Sequence, residues 1–374
     1  MIQDYEFIGK NCLENIKFII KEKKIKKILI LAGKNSFKIS GAQERLEKIL
    51  SNITHRTFFK TNELPNLLDL KKFIAIINSF KPDLIVAVGG GAVLDLAKTS
   101  SCLFRENNLE ENIKNSTYEI KKVCPVVAIP TTAGSGAEAT SNAVIYIDKI
   151  KYSIESSKIK PDYILVDTEL VMSAPASVAA AAGMDAIAQA IESLISKKST
   201  PESVEFSKKS LEYSLPSFEN HINRKNFENT YRMSLAALNA GKAINISKTT
   251  APHAVSYPFT SYFGIKHGHA VVLTLPDFFI LNFKNLKHAK VNFDLEKRFK
   301  IIFKVFKVTN IFNLEKKIKK ISENTGLELN FNKLKINKKN QINVILRNIN
   351  TQRLANNPID IQVHDIEKIL LSKI

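Results

Sequence analysis

The sequence predicts an α/β N-terminal domain, residues 1–175, followed by an all-helical C-terminal domain, residues 176–374. Three observations carry this prediction. Short runs rich in β-branched and apolar residues alternate with helix-length stretches in the first half. From Ser177 onward no such strand-like run recurs. Pro175 stands at the change, where a proline makes a good boundary.

Residues 27–32 (KILILA), 84–88 (LIVAV) and 126–129 (VVAI) read as buried parallel strands, because they are short and almost wholly apolar. Residues 142–147 (NAVIYI) and 163–166 (YILV) are further strand candidates. Residues 42–50 and 66–80 lie between them and carry helical spacing. In the second half, residues 182–196, 201–215, 227–246 and much of 294–374 read as helices.

A chain of 374 residues with 44% hydrophobic and 24% charged residues can build two cores. Residues 1–10 carry Asp4 and Glu6 and lack the apolar run of a signal peptide. No window approaches the roughly 20 apolar residues of a spanning helix, so a cytoplasmic protein with no membrane partner is expected. Cys12, Cys102 and Cys124 are scattered, which argues against a disulfide framework or a zinc ribbon. The formal net charge of +19 is spread along the chain and follows no nucleic-acid-binding motif, so no nucleic-acid partner is expected.

Residues 87–98 (AVGGGAVLDLAK) run from a strand through Gly89, Gly90 and Gly91 into a helix. Glycine allows positive φ and close approach of a pyrophosphate to the backbone, and the helix N-terminus offers N–H groups to that anion. Asp95 sits on the first turns and Lys98 follows. The Rossmann spacing would put a third glycine where Leu94 stands. Residues 126–140 (VVAIPTTAGSGAEAT) form a second strand-to-loop segment, in which Thr131, Thr132, Ser135 and the glycines can bond phosphate, ribose or carboxamide.

Residues 183–192 (GMDAIAQAIE) place Asp185 and Gln189 four apart on one helix face. The chain has seven histidines, yet His253, His267 and His269 fall in one short stretch. The helix beginning at Phe227 is expected to deliver His253, and a loop containing Pro and Gly to return His267 to it. One carboxylate, one amide oxygen and two imidazoles suit Fe(II) or Zn(II).

Taken together, these segments resemble the iron-containing alcohol dehydrogenase family across residues 84–276. The resemblance implies a dehydroquinate-synthase-like fold, a homodimer, and a metal-dependent, NAD(P)-linked alcohol dehydrogenase or aldehyde reductase. It implies metal ligation by Asp185, His253 and His267, with Gln189 where the family usually has a histidine. It implies a cofactor set of Gly33, Gly89, Gly90, Gly91, Asp95, Thr131, Thr132, Ser135, Thr140, Lys151 and Leu170, with Lys151 near the nicotinamide. Gly33 stands where many NAD-preferring relatives are acidic, and Lys34 follows it, so both NAD(H) and NADP(H) are expected to be usable. Tyr257 occupies the place of a relay histidine, and Tyr257 or His269 is the proton-relay candidate.

Lys242 and Lys248 flank Asn245, and Lys266 precedes His267, which points to an anionic substrate. The segment resembles the branch of phosphonoacetaldehyde reductases and octulosonate 8-oxidases. Reduction of a small anionic aldehyde such as phosphonoacetaldehyde is expected, with Lys248 in the site. Oxidation of a sugar-acid primary alcohol and a non-redox lyase of the same fold are the alternatives.

Overall fold

The computed structural model describes residues 5–374. Its first compact unit runs to Pro175 and includes Asn226–Ser234; the second comprises Ala176–Lys225 and Leu235–Ile374.

Among the described residues the first unit holds eight strands: β1 (Tyr5–Gly9), β2 (Lys27–Gly33), β3 (Thr54–Lys60), β4 (Leu84–Gly89), β5 (Val126–Pro130), β6 (Asn142–Ile147), β7 (Ile150–Glu155) and β8 (Tyr163–Asp167). Six form one parallel sheet in the order β1-β8-β5-β4-β2-β3. The inner strands are apolar on both faces because helices cover both. Leu29, Leu31, Ile85, Ala87, Val126 and Ala128 face one core, shared with the helices Leu67–Phe80 and Gly91–Cys102. Ile28, Ile30, Leu84, Val86, Val127 and Ile129 face the other, with helices Asn15–Lys23 and Ala42–Ile49. This is the two-residue alternation of a pleated strand. Each such Leu, Ile or Val side chain contributes about 1.5–3 kcal/mol on burial, enough to offset the roughly 1–2 kcal/mol cost of fixing one residue's backbone.

Strands β6 and β7 form a separate antiparallel hairpin, so residues 142–147 do not extend the parallel sheet. Asp148 and Lys149 connect them, both with positive φ (51° and 66°), as a two-residue hairpin turn that matches strand twist requires.

The second unit is helical. The helix Ala176–Ile195 is long and apolar enough to span a membrane by length and composition, which corrects the expectation that no window reaches that length. The window that qualifies is 89% buried inside the protein. The helix Pro201–Asn223 starts on a Thr200 capping box and passes through Pro216, beyond the expected end at Leu215. The helix Phe227–Ser247 stops before His253. Lys248 turns the chain with φ 60°, and Pro252 opens a new helix, Ala251–Phe263, that carries the histidine. A left-handed residue after a helix ends it as a C-terminal glycine would.

Candidate active site

Gly33, Gly89 and Pro130 end β2, β4 and β5, three neighbouring strands, so their loops gather along one sheet end. Such a carboxyl end is where open α/β sheets bind ligands. None of Gly89, Gly90 and Gly91 has positive φ, so the turn does not use glycine's access to the left-handed region. Space is the constraint at two of them. A Cβ on Gly89 would lie 2.5 Å from Val93 Cγ2, and one on Gly91 would lie 2.6 Å from Ser135 Oγ. Gly90 caps the helix Gly91–Cys102, and Gly90, Gly91, Thr132 and Ser135 all keep partial solvent exposure. Thr131 and Thr140 are buried, and Leu170 lies in the apolar core.

Behind these loops, Lys98 is fully buried. Its Nζ donates to Ala137 O (2.8 Å), Thr140 Oγ1 (2.9 Å) and Asn142 O (2.5 Å), and pairs with Asp95 Oδ1 at 3.4 Å. Asp95 Oδ2 accepts the Val144 N–H at 3.1 Å. The ammonium thus pins the second loop to the helix that follows the first. Burial pushes the Lys98 pKa down and that of Asp95 up, and each charge opposes the shift of the other. Lys151, on β7, adds a second positive charge near Asp95. Glu138, in the same loop, is buried and its carboxyl is raised to about 7, first by desolvation.

In the second unit, Asp185, His253 and His267 each point one donor atom into a cluster whose members all lie within 4.8 Å of one another. His253 Nε2 is 3.2 Å and His267 Nε2 3.9 Å from Asp185 Oδ1. These values bracket the edge of about 3.4 Å expected between tetrahedral ligands each about 2.1 Å from a metal. One carboxylate and two imidazoles are also the donor chemistry of such sites, so the residues fit a divalent ion. Gln189 Nε2 donates to Asp185 Oδ2 at 3.2 Å.

Each ligand has a local cause. Asp185 and Gln189 share a face of the buried helix Ala176–Ile195. His253 stands on the first turn of Ala251–Phe263. Gly264, with φ 68°, closes that helix and lets the chain re-enter at His267–Val272. The His267 ring stacks on Tyr257, centroids 5.4 Å apart and planes 8° apart, and meets His253 edge-on at 5.3 Å.

The relay candidates part company. Tyr257 lies against His267, and its phenol is pushed up to about 12, by burial first and by Glu192 and Asp185 as well. His269 Nε2 bonds Glu328 O at 2.6 Å, so that nitrogen carries the proton and serves the backbone. Lys248 is half-buried in the turn leading to Thr250. Lys242 Nζ sits 5.8 Å over the Phe206 ring, and Lys266 is exposed at the N-cap of His267–Val272.

Two residues of the cluster carried no assignment in the sequence reading. Glu192 is fully buried, and its Oε1 is 2.6 Å from His253 Nδ1. Burial pulls the His253 pKa down, but the charges of Glu192 and Asp185 outweigh it and raise it to about 9. Gly268 packs directly on the Asp185 helix. Glu192 lies seven residues after Asp185 at helical spacing, a signal that was present in the sequence. Gly268 had none beyond its place beside His267.

Residues 6–168 match the family model of iron-containing alcohol dehydrogenase, and residues 179–374 that of the C-terminal region of the same family. The bifunctional aldehyde-alcohol dehydrogenase AdhE of Escherichia coli K12 is 30% identical over 269 residues, 67% of this chain; the chain spans only 30% of that relative's length. The phosphonoacetaldehyde reductase of Streptomyces viridochromogenes is 30% identical over 216 residues, 53% of each chain. The crystal structure of sulfoacetaldehyde reductase from Bifidobacterium kashiwanohense in complex with NAD+ superposes with a TM-score of 0.89 at 25% identity, covering 100% of this chain and 97% of that one.

Proposed function

We propose, from the premise that the chain belongs to the iron-containing alcohol dehydrogenase family, that it reduces a small anionic aldehyde with a nicotinamide cofactor. The convergence of Asp185, His253 and His267 carries the reading. A bound Fe(II) or Zn(II) would supply Lewis acidity toward the carbonyl oxygen, and NAD(H) or NADP(H) the hydride.

The residues divide the remaining work. Asp185, His253 and His267 would hold the ion. Gln189 serves Asp185, because its amide N–H orients the carboxylate. Gly33, Gly90, Gly91, Thr132 and Ser135 offer backbone and hydroxyl groups to the dinucleotide, and Lys34 beside Gly33 favours tolerance of a 2′-phosphate. Tyr257 keeps its proton at neutral pH and is the better placed relay, since His269 is committed to Glu328.

For the substrate, Lys248 is the cation favoured here. It is half-buried in the turn three residues before the His253 helix. The phosphonate- and sulfonate-bearing aldehydes named for two relatives support an anionic partner. The test is oxidation of NADH and NADPH by chain reconstituted with Fe(II) or Zn(II), against phosphonoacetaldehyde, sulfoacetaldehyde and neutral aldehydes. Turnover of neutral aldehydes alone would refute the anionic preference, and metal-independent turnover would refute the centre.

A further inference from the structure

We infer that Glu192 is the positioning residue of the metal centre, fixing the tautomer and aim of His253, and that Thr250 holds Glu192 in place for that task. The inference rests on the reading that Asp185, His253 and His267 hold a metal.

A histidine can ligate through Nε2 only when that nitrogen presents its lone pair, and the bond made by the other nitrogen decides this. His253 Nδ1 meets Glu192 Oε1 at 2.6 Å, a short, charge-assisted contact in which Nδ1–H donates. That leaves Nε2 for the Asp185 side, where it already lies 3.2 Å from Oδ1. Glu192 is itself held on its other oxygen. Oε2 accepts the Thr250 N–H at 2.6 Å and the Thr250 Oγ1–H at 2.9 Å. All three donors come from the start of one helix, Ala251–Phe263, and its N-cap, while Glu192 comes from the helix that carries Asp185.

The carboxylate therefore does two jobs. It couples the ligand-bearing helices, and it keeps a negative charge beside the imidazole, which makes the ring a better donor to a cation. Glu192 and Thr250 are both fully buried, so no water competes for these bonds. An unpaired carboxylate at that depth would be costly, and His253 and Thr250 satisfy it.

The test uses the full chain, stripped of metal, with Zn(II) and Co(II) as probes. The wild-type chain is titrated first; failure to bind either ion would overturn the metal centre itself and not merely the role of Glu192. Given wild-type binding, Glu192→Gln is expected to raise the Zn(II) Kd about 10- to 100-fold, the usual cost of removing an outer-shell carboxylate. It is also expected to alter the visible absorption of bound Co(II), while NADH affinity stays as in the wild type. A merely structural residue would lower stability without changing the Co(II) spectrum. Equal Zn(II) affinity and an unchanged Co(II) spectrum would overturn the inference. Should Glu192→Gln lose its near-UV dichroism, Thr250→Val decides: a measurable loss of Zn(II) affinity supports the inference, and wild-type affinity overturns it.

Discussion

Gly268 lies so close to the helix of Asp185 that a Cβ on it would stand 2.7 Å from Asp185 Cβ and 2.0 Å from Ala181 O. The second of these neighbours is backbone and cannot rotate away. Gly268 follows His267 directly, so any residue larger than glycine would push one metal-ligand candidate from another. Gly268→Ala is expected to cost at least ~2 kcal/mol in unfolding free energy, as overpacking of a tight interface does. Metal affinity is expected to fall on the order of tenfold or more, because coordination tolerates only about 0.2 Å of error. Urea unfolding of the apo-protein and Zn(II) titration measure the two effects. Wild-type values in both would show that the helices can part freely.

Lys98 ties the second loop and the start of β6 to the helix that follows the first loop, so its loss should be felt at the cofactor and not at the metal. Lys98→Met keeps the stem and removes the ammonium. It removes the buried cation from Asp95 and one donor each from Ala137 O and Asn142 O, and breaking a buried pair in this way costs about 3–5 kcal/mol. NADH affinity is expected to fall with it, and Zn(II) affinity to hold. Fluorescence titration of NADH against the variant checks this. Unchanged NADH binding would mean that the second loop needs no such anchor.

Two buried groups give stability opposite pH slopes. The Glu138 carboxyl is raised from 4.5 to about 7 in the folded chain. The unfolded chain loses that proton first, so the contribution is whole below pH 4.5 and is lost as pH rises through about 7. His221 is lowered from 6.5 to about 4, by burial and then by Lys225. Its contribution is whole above pH 6.5 and is lost as pH falls toward 4. Each shift corresponds to about 3 kcal/mol at its limit. Glu138→Gln is expected to flatten the decline between about pH 4.5 and 7, and His221→Gln the decline below pH 6.5, in urea midpoints measured across pH. Parallel curves for variant and wild type would contradict both assignments.

What could be read from the sequence depended on how far each signal was local. Strands β2, β4, β5 and β8 were legible because burial on both faces left unbroken apolar runs. Strand β3 was not: THRTFFK lies at the sheet edge and is mostly exposed, as a protected edge should be. Strand β1 is only five residues and nowhere fully buried, and β7 (IKYSIE), though it alternates apolar and polar residues, is short and has one fully buried residue, Ile154. The candidate ligands were legible as a set because histidine is scarce in this chain, seven in all, and three of the seven fall within residues 253–269. The break at Lys248 was not, since lysine carries no sign of a left-handed turn. The dense packing around Gly89, Gly91 and Gly268 is a property of neighbours distant in sequence, which spacing cannot reveal.

Tyr257 joins packing to chemistry at His267, and two substitutions separate these roles. Tyr257→Phe keeps the ring that lies parallel to His267 at 5.4 Å and removes only the hydroxyl. Zn(II) affinity is therefore expected to stay near the wild-type value. If the hydroxyl passes the proton, kcat is expected to fall on the order of 10²-fold, the lower end for loss of a general acid. Because the phenol titrates only near 12, no step in the wild-type pH profile between 6 and 9 should belong to it. Tyr257→Leu removes the flat surface as well, so His267 loses its stacking partner and Zn(II) affinity should drop. A Tyr257→Phe variant with wild-type kcat would leave Tyr257 as a packing surface alone and return the relay to His269, which would then have to release Glu328 O to act.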